Sequence, residues 1–560
     1  MVPDFDRVIF QIPFDGEHPP AKDVVGSKAH NLMRMARCGL DVPPGFVIST
    51  ELCRSFLAQG EAALQGLDDA LAREVARLGR ITGRQLGDFR RPLLLSVRSG
   101  AAISMPGMME TVLNIGLSRS AMNGLVRMTG NPRLAQDCRR RLVQQYGEVV
   151  HGIAPSRFSE KIHERLAATR ATDLDELSTS DLAGVCRDFE EIFEAETGKA
   201  FPDDPFRQLY HSIEAVLRSW SSERAQSYRS LNAISDMLGT AVTVQVMAFG
   251  NIGPNSGSGV GFTRNPADGT DALYVDFLGN AQGEDVVAGR HSAAGLEELE
   301  RRAPSAHEAL LAAKPLLEAE FRDMQDFEFT VEEGRLLMLQ ARSGKRTPLA
   351  ALRIAKDLVR EGITAPAEAL KTLEGLDLDA IEETKLCIPP DQQPLVSGTP
   401  ASTGVVVGAA AFDPARIADL KAANDTIILV RQSAETSDIA ALAETDGLVT
   451  VQGARTSHAA VVARQIGKPC VVACSGLSIE ASGRRAHFGS EIVNEGDIIA
   501  VDAASGRIYK GRYDIVRERP TAVIEEIKAW SDTSKAGPIR RKRHQLSVQH
   551  HRSPGDGNET

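Results

Sequence analysis

The sequence predicts a multidomain protein that combines α/β and α+β architecture. Its 560 residues are enough for about three to five domains of roughly 100–200 residues each. Short β-branched runs alternate with helical segments near both ends of the chain, and a long helical stretch lies between them. A segment rich in Pro and Gly, IPPDQQPLVSGTPAS at 388–402, is predicted to be the linker between the two regions.

In the first half, we expect strands at 46–48 and 93–97, followed by a helical insert at about 119–235 with periodic apolar residues. Residues 240–290 are predicted to form strands joined by Gly, Asn and Pro turns. A hairpin at 326–342, with its turn at Glu333-Gly334, completes a first region at 1–345.

A helical connector and linker, broken at Pro366, is expected at 346–395. A small α/β domain at 396–515 follows, with four short β-branched strands predicted at 427–430, 447–451, 470–474 and 498–502. We expect one helix at 516–530 and a disordered tail to residue 560.

Composition and charge exclude several classes of protein. Hydrophobic residues make up 42% of the chain and charged residues 25%, as in folded globular proteins. No apolar run approaches the roughly 18 residues of a membrane span, and the N-terminus lacks the pattern of a secretory signal, so we expect a cytoplasmic protein without a membrane partner. The net charge of −11, from 64 Lys and Arg against 75 Asp and Glu, argues against a nucleic-acid partner. The tail at 535–560 is basic, with six Lys or Arg against two acidic residues.

Seven sparsely distributed cysteines favour a reducing compartment over a disulfide framework. Cys470 and Cys474 are the one close pair in the sequence and flank an apparent buried strand. We interpret them as core residues, because no further metal-ligand partners accompany them.

The hairpin carries a polar pattern on one face. Asp326 and Glu328 are two residues apart on a strand, as are Gln340 and Arg342 on the returning strand, so each pair points to one side of the sheet. Carboxylate oxygens suit a hard cation such as Mg²⁺, and an amide with a guanidinium suits a phosphate. The exposed polar face of an ordinary strand gives the same pattern, so this alternative stays open.

The segment GARTSHAAVVAR at 453–464 joins an apolar strand to a helix through a turn of small residues. Thr456 or Ser457 is positioned to cap the helix, and His458 would then lie near the helix N-terminus. Backbone N–H groups and the helix dipole favour an anion there. A neutral imidazole is a good nucleophile, so this placement suits a histidine that becomes phosphorylated.

With its continuation GKPCV, this segment resembles the phosphohistidine loop of the pyruvate, phosphate dikinase family. Three further regions agree with the family: VVGSKAHNLMRMARCGLDVPPGFVIST (24–50), LLLSVRSGAAISMPGMMETVLNIGL (93–117), and the glycine-rich segments within 238–290. The resemblance covers about residues 22–515. It implies an ATP-grasp-like nucleotide-binding region at 1–345 and a small swivelling phosphohistidine domain at 396–515.

The resemblance also implies roles for individual residues. His458 is the expected catalytic residue. Phosphate ligands are expected at Lys28, Arg98, Gly107, Gln340 and Arg342, and Mg²⁺ ligands at Asp326 and Glu328. Thr456, two residues before the histidine, matches a regulatory phosphorylation site of plant-type and some bacterial relatives.

Two features depart from the family pattern. The family usually has two glycines before the Thr-Ser-His turn, whereas here the pair is Gly453-Ala454. Only 45 residues follow position 515, far fewer than the about 250 of the (β/α)₈ barrel that binds pyruvate and phosphoenolpyruvate in the family. We therefore expect that barrel on a separate partner chain.

The function that this resemblance implies is phosphorylation of His458 by ATP and inorganic phosphate. AMP and pyrophosphate are released, and the phosphoryl group passes on to pyruvate to give phosphoenolpyruvate. Two alternatives remain open at this point. One is an ATP-dependent phosphotransferase with another acceptor, similar to phosphoenolpyruvate synthase or to an antibiotic phosphotransferase. The other is a non-catalytic nucleotide-binding regulatory protein. The sequence leaves the oligomeric state undecided.

Overall fold

The computed structural model describes residues 4–103, 105, 110–231, 234–235, 239–287, 295–423, 425–433, 438–453, 455, 458–480 and 483–535. Helices and sheets are mixed and distributed over several units, which confirms the predicted multidomain α/β and α+β class. Within these ranges, no helix combines the length and apolar character that crossing a membrane requires.

The N-terminal part is built on a five-stranded antiparallel sheet. Its elements up to residue 115 are α1 (Phe5–Val8), β1 (Ile9–Ile12), α2 (Lys22–Arg37), β2 (Gly45–Ile48), α3 (Thr50–Gln59), α4 (Leu67–Thr82), β3 (Gln85–Leu86), β4 (Pro92–Leu93), β5 (Leu95–Gly100) and β6 (Thr111–Ile115). A later strand, β7 (Ala241–Val246), inserts into the middle of the sheet. The strand order is β1-β2-β7-β5-β6. The five-stranded sheet is therefore complete only after the chain has passed through the helical insert and returned as β7.

The helical insert is present as predicted. It comprises α5 (Arg119–Thr129), α6 (Pro132–His151), α7 (Pro155–Thr169), α8 (Thr179–Thr197), α9 (Pro205–Ser219) and α10 (Glu223–Leu231). Side chains of Ser118, Asn131, Ser178 and Asp204 accept hydrogen bonds from the first turns of four of these helices, which fixes where each helix begins. The insert and the five-stranded sheet share one large apolar core.

A second antiparallel sheet has the order β11-β10-β8-β9. It arises from β8 (Gly257–Phe262), β9 (Tyr274–Gly279), α11 (Gly283–Val287), α12 (Leu296–Arg302), α13 (Pro304–Phe321), β10 (Gln325–Glu332) and β11 (Arg335–Ser343). The hairpin β10–β11 confirms the predicted turn at Glu333-Gly334. Apolar side chains of α2, α12 and α13 pack with this sheet in a second core, so α2 lies between the two sheets.

The C-terminal part forms a closed barrel of seven strands with helices on its outside. A connector of α14 (Pro348–Arg360), α15 (Pro366–Lys371) and β12 (Glu383–Leu386) leads to it. The barrel order is β13-β17-β16-β15-β14-β21-β22. The elements of this C-terminal part are β13 (Val396–Pro400), β14 (Val405–Ala411), α16 (Ile417–Lys421), β15 (Ile427–Arg431), α17 (Ile439–Glu444), β16 (Gly447–Thr450), α18 (His458–Gln465), β17 (Cys470–Ser475), β18 (Leu477–Ile479), β19 (Arg485–Phe488), β20 (Glu491–Asn494), β21 (Ile498–Asp502) and β22 (Arg507–Lys510). Strands β18, β19 and β20 form a separate three-stranded sheet.

Two sequence-based expectations about this part differ from the structure in their bounds. The predicted linker at 388–402 is not irregular throughout, because residues 396–400 form β13 of the barrel. The predicted helix at 516–530 is preceded by β23 (Ile515–Glu518), and α19 (Thr521–Lys535) begins only after it. Strand β23 pairs with β12 of the connector, and α19 packs on α14 and α15. Cys470 and Cys474 are buried free thiols, in agreement with their interpretation as core residues.

Candidate active site

The polar face of the β10–β11 hairpin carries the four residues that the sequence singled out. Asp326 lies opposite Arg342 in the strand register, and Glu328 lies opposite Gln340. The intervening Phe327 is fully buried, because alternate side chains of a strand point to opposite faces. The structure therefore brings the two carboxylates, the amide and the guanidinium together on one side of the hairpin.

Asp326 and Arg342 form a direct ion pair on this face. The guanidinium Nε of Arg342 donates to Oδ2 of Asp326 at 2.9 Å. The side chain of Asp326 is 12% exposed and that of Arg342 42% exposed. Burial raises the pKa of Asp326 above its ordinary value, although Arg342 acts in the opposite direction. The carboxylate is thus held away from water, with Arg342 bonded to it and the charge of Arg464 nearby.

Lys28 reaches this face from the kinked beginning of α2. Gly26 interrupts the helix with φ 75°, and a Cβ at this position would lie 2.0 Å from the carbonyl oxygen of Gly100. Next to it, the main-chain N–H and the hydroxyl of Ser27 both donate to the carbonyl of Ala101, at 2.9 and 3.0 Å. The start of α2 is therefore fixed against the end of β5, which carries Arg98.

Lys28 lies in a cluster of alternating charges. Burial and the nearby charge of Arg98 lower its pKa to about 8, while Glu328 acts in the opposite direction. Arg342 also contributes to the lowering. A buried ammonium beside two guanidinium groups is a site that an anion would stabilise. The arrangement suits the binding of a polyphosphate chain along α2, β5 and the hairpin.

Asn31 is a residue of this site that the sequence reasoning missed. Its side-chain amide donates to the main-chain carbonyl of Ala341 at 2.8 Å. Ala341 lies between Gln340 and Arg342, so this bond fixes α2 to the functional strand. The signal in the sequence was slight: Asn31 follows Lys28 by three residues and thus faces nearly the same side of the helix.

The oxygen donors on the hairpin fit a magnesium ion. Mg²⁺ is commonly bound through one or two carboxylates together with substrate phosphates, and Asp326 and Glu328 supply that number. Within the described ranges, no group of three or more His, Cys, Asp or Glu side chains is arranged to hold a metal by itself. The donor set therefore suits a cation that arrives with a nucleotide.

The predicted nucleophile lies on the barrel side of the molecule. His458 is the first residue of α18, in agreement with the predicted helix start; its side chain is outside the described part. Gly107, the predicted phosphate-loop glycine, and Thr456, the predicted regulatory residue, also lie outside the described residues.

The segment around His458 contacts the second sheet through two arginines that the sequence reasoning also missed. Arg455 Nε lies 2.9 Å from Oδ1 of Asp276 in β9, and its guanidinium carbon is 4.6 Å from the ring centroid of Tyr274. The guanidinium carbon of Arg464, in α18, is 5.3 Å from the ring centroid of Phe262 in β8. Phe262 is the register partner of Asp326. The last turn of α18 thus lies against β8 beside Asp326, and Arg455, three residues before the helix, lies against β9.

Two family models match the chain. Residues 22–80 and 64–296 match the family model described as pyruvate phosphate dikinase, AMP/ATP-binding domain. Residues 423–506 match the model described as PEP-utilising enzyme, mobile domain.

Curated relatives extend the match over most of the chain. Pyruvate, phosphate dikinase 1 of Arabidopsis thaliana is 40% identical over 514 residues, covering 91% of this chain and 53% of the relative. The enzyme of Clostridium symbiosum is 39% identical over 539 residues, covering 94% and 61%. That of Rhizobium meliloti is 39% identical over 531 residues, covering 93% and 59%.

Together, the fold and these matches define a protein with one part that matches the AMP/ATP-binding domain model and one part that matches the mobile-domain model of PEP-utilising enzymes. The chain belongs to the pyruvate, phosphate dikinase family. It spans between about half and three fifths of the length of these relatives, so what the whole enzymes do is carried over to it below as a proposal.

Proposed function

We propose that this chain performs the ATP-dependent part of the pyruvate, phosphate dikinase reaction, in which ATP and inorganic phosphate phosphorylate His458. The observation that supports it most strongly is the contact of the His458 segment with the second sheet. Arg464 of α18 lies against Phe262, the strand neighbour of Asp326. Arg455, three residues before His458, lies 2.9 Å from Asp276 of the same sheet, so a nucleophile at the start of α18 would approach a nucleotide bound on the hairpin.

In this proposal, residues 1–345 act as an ATP-grasp-like nucleotide-binding region and residues 396–515 as a swivelling phosphohistidine domain. Two antiparallel sheets with α2 between them support the first assignment. A closed barrel with its own cores supports the second. The connector at 346–395 joins the two.

The cationic and amide side chains would bind the triphosphate. Lys28, Arg98 and Arg342 supply the positive charge, Gln340 supplies an amide donor, and the backbone at Gly107 supplies N–H groups. Asp326 and Glu328 would hold Mg²⁺, which when bound polarises phosphoryl oxygens and lowers their negative charge. Because Asp326 is also bonded to Arg342, the metal ligand and the phosphate ligand are positioned together.

The chemistry transfers the β-phosphoryl group. An imidazole nitrogen of His458 forms a bond to the β-phosphorus, the bond between that phosphorus and the α–β bridging oxygen breaks, and AMP leaves. An oxygen of inorganic phosphate then attacks the γ-phosphorus, so that pyrophosphate leaves and one phosphoryl group remains on the histidine. Positioning and electrostatic stabilisation are the main contributions a protein makes to such a transfer.

The onward acceptor in this proposal is pyruvate, which yields phosphoenolpyruvate. The names of the relatives support that choice. The pyruvate site would lie on a separate (β/α)₈ barrel, and the phosphohistidine domain would have to leave the hairpin to reach it.

Covalent labelling tests the proposal. With Mg²⁺ and ATP labelled at the β-phosphate, the protein should acquire label through an acid-labile, base-stable bond, as expected of a phosphohistidine. His458→Ala should abolish labelling while leaving the circular dichroism spectrum and the melting temperature unchanged. The matched control is His487→Ala, because His487 is a half-exposed histidine of the same domain.

Undiminished labelling of the His458→Ala variant would overturn the assignment of the nucleophile. Nucleotide binding without any transfer of label to the protein would overturn the catalytic proposal. It would favour a nucleotide-binding regulatory protein instead.

A further inference from the structure

Two arginines of the barrel bracket an aromatic pair on the second sheet. Arg455 lies over Tyr274, at 4.6 Å from guanidinium carbon to ring centroid, and Arg464 lies over Phe262, at 5.3 Å. The two rings themselves are 6.2 Å apart, centroid to centroid. Cations over aromatic faces are attracted by the ring quadrupole, so both arginines hold the barrel to this sheet.

The two arginines differ in what else they bind. Arg464 is fully buried and donates from Nε to the carbonyl of Ala401 at 2.8 Å and from Nη2 to the carbonyl of Arg455 at 2.5 Å. Both acceptors belong to its own domain. Arg464 therefore fixes the shape of the His458 segment whether or not the barrel touches the sheet.

Arg455, in contrast, makes its ion pair across the interface. Its Nε lies 2.9 Å from Oδ1 of Asp276, whose side chain is 2% exposed. The Nε group of Arg455 does not meet the geometric criteria of a hydrogen bond. The attraction between Arg455 and Asp276 is therefore ionic and does not depend on a precise orientation of the two side chains. Separation of the barrel from the sheet would break this pair, and breaking it leaves a buried carboxylate without this cation.

A third contact lies beside the first two. The hydroxyl of Tyr274 donates to the carbonyl of Pro400, the residue before the Ala401 that Arg464 binds. Tyr274 therefore touches both the end of the barrel strand β13 and the arginine that precedes His458 by three residues. The ion pair, the ring and the hydroxyl form one continuous contact surface.

We propose that Arg455 is a positioning residue that holds the His458 segment on the nucleotide-binding sheet through Asp276 and Tyr274. It sets the fraction of molecules poised to accept a phosphoryl group, and it takes no part in the chemistry itself. This inference rests on the proposed function, because it assumes that His458 is the group that accepts the phosphoryl group.

The test is a double-mutant cycle on the first-order rate of labelling by β-labelled ATP. Arg455→Met and Asp276→Asn should each slow labelling by about tenfold or more, since breaking a buried ion pair exceeds the 1.4 kcal/mol that corresponds to tenfold. The double variant should be no slower than the slower single variant, because both changes remove the same contact. Arg455→Lys should keep most of the rate.

Two further readouts separate positioning from damage to the fold. Arg455→Met should keep the affinity for Mg²⁺–ATP and the circular dichroism spectrum of the unchanged protein. Arg485→Met is the matched control, since Arg485 is a half-exposed arginine of the same domain that pairs with Glu480; it should label at the normal rate.

Two results would overturn the inference: a normal labelling rate in Arg455→Met, or single effects that multiply in the double variant. Both results are measured on protein that acquires label on His458, so neither result would contradict the proposed function. Loss of the proposed function is recognised separately, by label that persists in His458→Ala.

Discussion

Asn31 in α2 donates a hydrogen bond to the main-chain carbonyl of Ala341 in β11, at 2.8 Å. The two residues are 310 positions apart in the chain, yet this bond joins the helix that carries Lys28 to the strand that carries Gln340 and Arg342. The candidate site is therefore assembled across two sheets, and its geometry depends on how α2 sits between them.

The hairpin carboxylates should be far more sensitive to substitution than a neighbouring acidic residue. Asp326→Asn and Glu328→Gln should each lower the rate of labelling by ~100-fold or more, because loss of a charged ligand of a hard cation removes several kcal/mol of transition-state stabilisation. The control is Glu333→Gln, at the exposed turn. Glu332 is unsuitable, because it accepts the N–H of Phe249 at 2.8 Å. Equal and small effects at all three positions would show that this face of the hairpin is an ordinary solvent-exposed strand face that binds no metal.

Lys28 should give the binding of ATP a pH dependence. Its pKa of about 8 means that the ammonium form, which binds phosphate, disappears as the pH rises through 8. The affinity for Mg²⁺–ATP should fall between pH 7 and 9 in the unchanged protein. In Lys28→Arg it should stay level, because arginine remains charged throughout this range. A fall of the same size in both proteins would assign the effect to another group.

The same residue should reduce the stability of the nucleotide-free protein. Its pKa in the folded state, about 8, lies below the ordinary 10.5, so the folded state disfavours the charged form. The penalty is fully present below pH 8 and disappears as the pH rises towards 10.5. Lys28→Met should therefore raise the free energy of unfolding at pH 7 by about 1–3 kcal/mol, measured by denaturant titration, while ATP binding is lost. Destabilisation by this substitution would contradict the argument.

Gly26→Ala should damage both the fold and the site. The new Cβ would meet the carbonyl oxygen of Gly100 at 2.0 Å, at a residue with φ 75°. The matched control is Gly39→Ala, where φ is 90° but no atom lies within 4 Å of the new Cβ. Backbone strain alone should cost Gly39→Ala about 1 kcal/mol without changing the rate of labelling. Gly26→Ala should cost more and label slowly. Identical behaviour of the two variants would mean that the contact with Gly100 is unimportant.

Arg264 should be a major determinant of stability at the end of β8. Its guanidinium is fully buried and lies 2.9 Å from Glu318, which is itself 2% exposed, and it also donates to Glu361 at 3.0 Å. Arg264→Met should lower the free energy of unfolding by about 3 kcal/mol, the lower end of the range for a broken buried pair, because the carboxylate of Glu318 loses its 2.9 Å partner and is left with Lys314 at 3.3 Å. The largely exposed pair of Arg301 with Glu298 gives the comparison: Arg301→Met should change the free energy of unfolding far less, because solvent screens this pair. Similar values for both variants would refute the prediction.

Thr456 remains a predicted regulatory site. Thr456→Glu should block the labelling of His458, because a negative charge two residues from the nucleophile repels the phosphates of ATP, as a phosphate of about −1.5 to −2 charges would. Thr456→Val should keep most of the labelling. If the valine variant is as inactive as the glutamate variant, the hydroxyl has a capping or catalytic role instead.

Much of the candidate site could be predicted from local patterns in the sequence. Alternation along a strand put Asp326 and Glu328 on one face, and the turn at Glu333-Gly334 set Gln340 and Arg342 opposite them. The start of α18 at His458 followed from small residues that precede an apolar helix. Each of these features depends on neighbours within about 20 residues.

The rest depends on contacts between distant parts of the chain, which no local pattern reveals. The bond of Asn31 to Ala341 and the ion pair of Arg455 with Asp276 appear only once the sheets and the barrel are in place. The pairing of β14 with β21 in the barrel could not be predicted for the same reason, because most of the domain separates those two strands in the sequence. The predicted linker was partly wrong because Pro and Gly are tolerated in the short strand β13, where Pro400 is the last residue.

The pairing of β12 with β23 gives the barrel two attachment points instead of one. The chain enters the domain beside the place where it leaves, and α19 fastens the exit to the helices of the entrance. A domain attached at two neighbouring points rotates about the line that joins them, whereas a domain attached at a single point rotates in all directions. In the proposed swivelling of this domain, such a restriction would shorten the search between two distant sites to movement along an arc. The attachment formed by the four residue pairs from Glu383–Glu518 to Leu386–Ile515 would then decide which surfaces the start of α18 can reach.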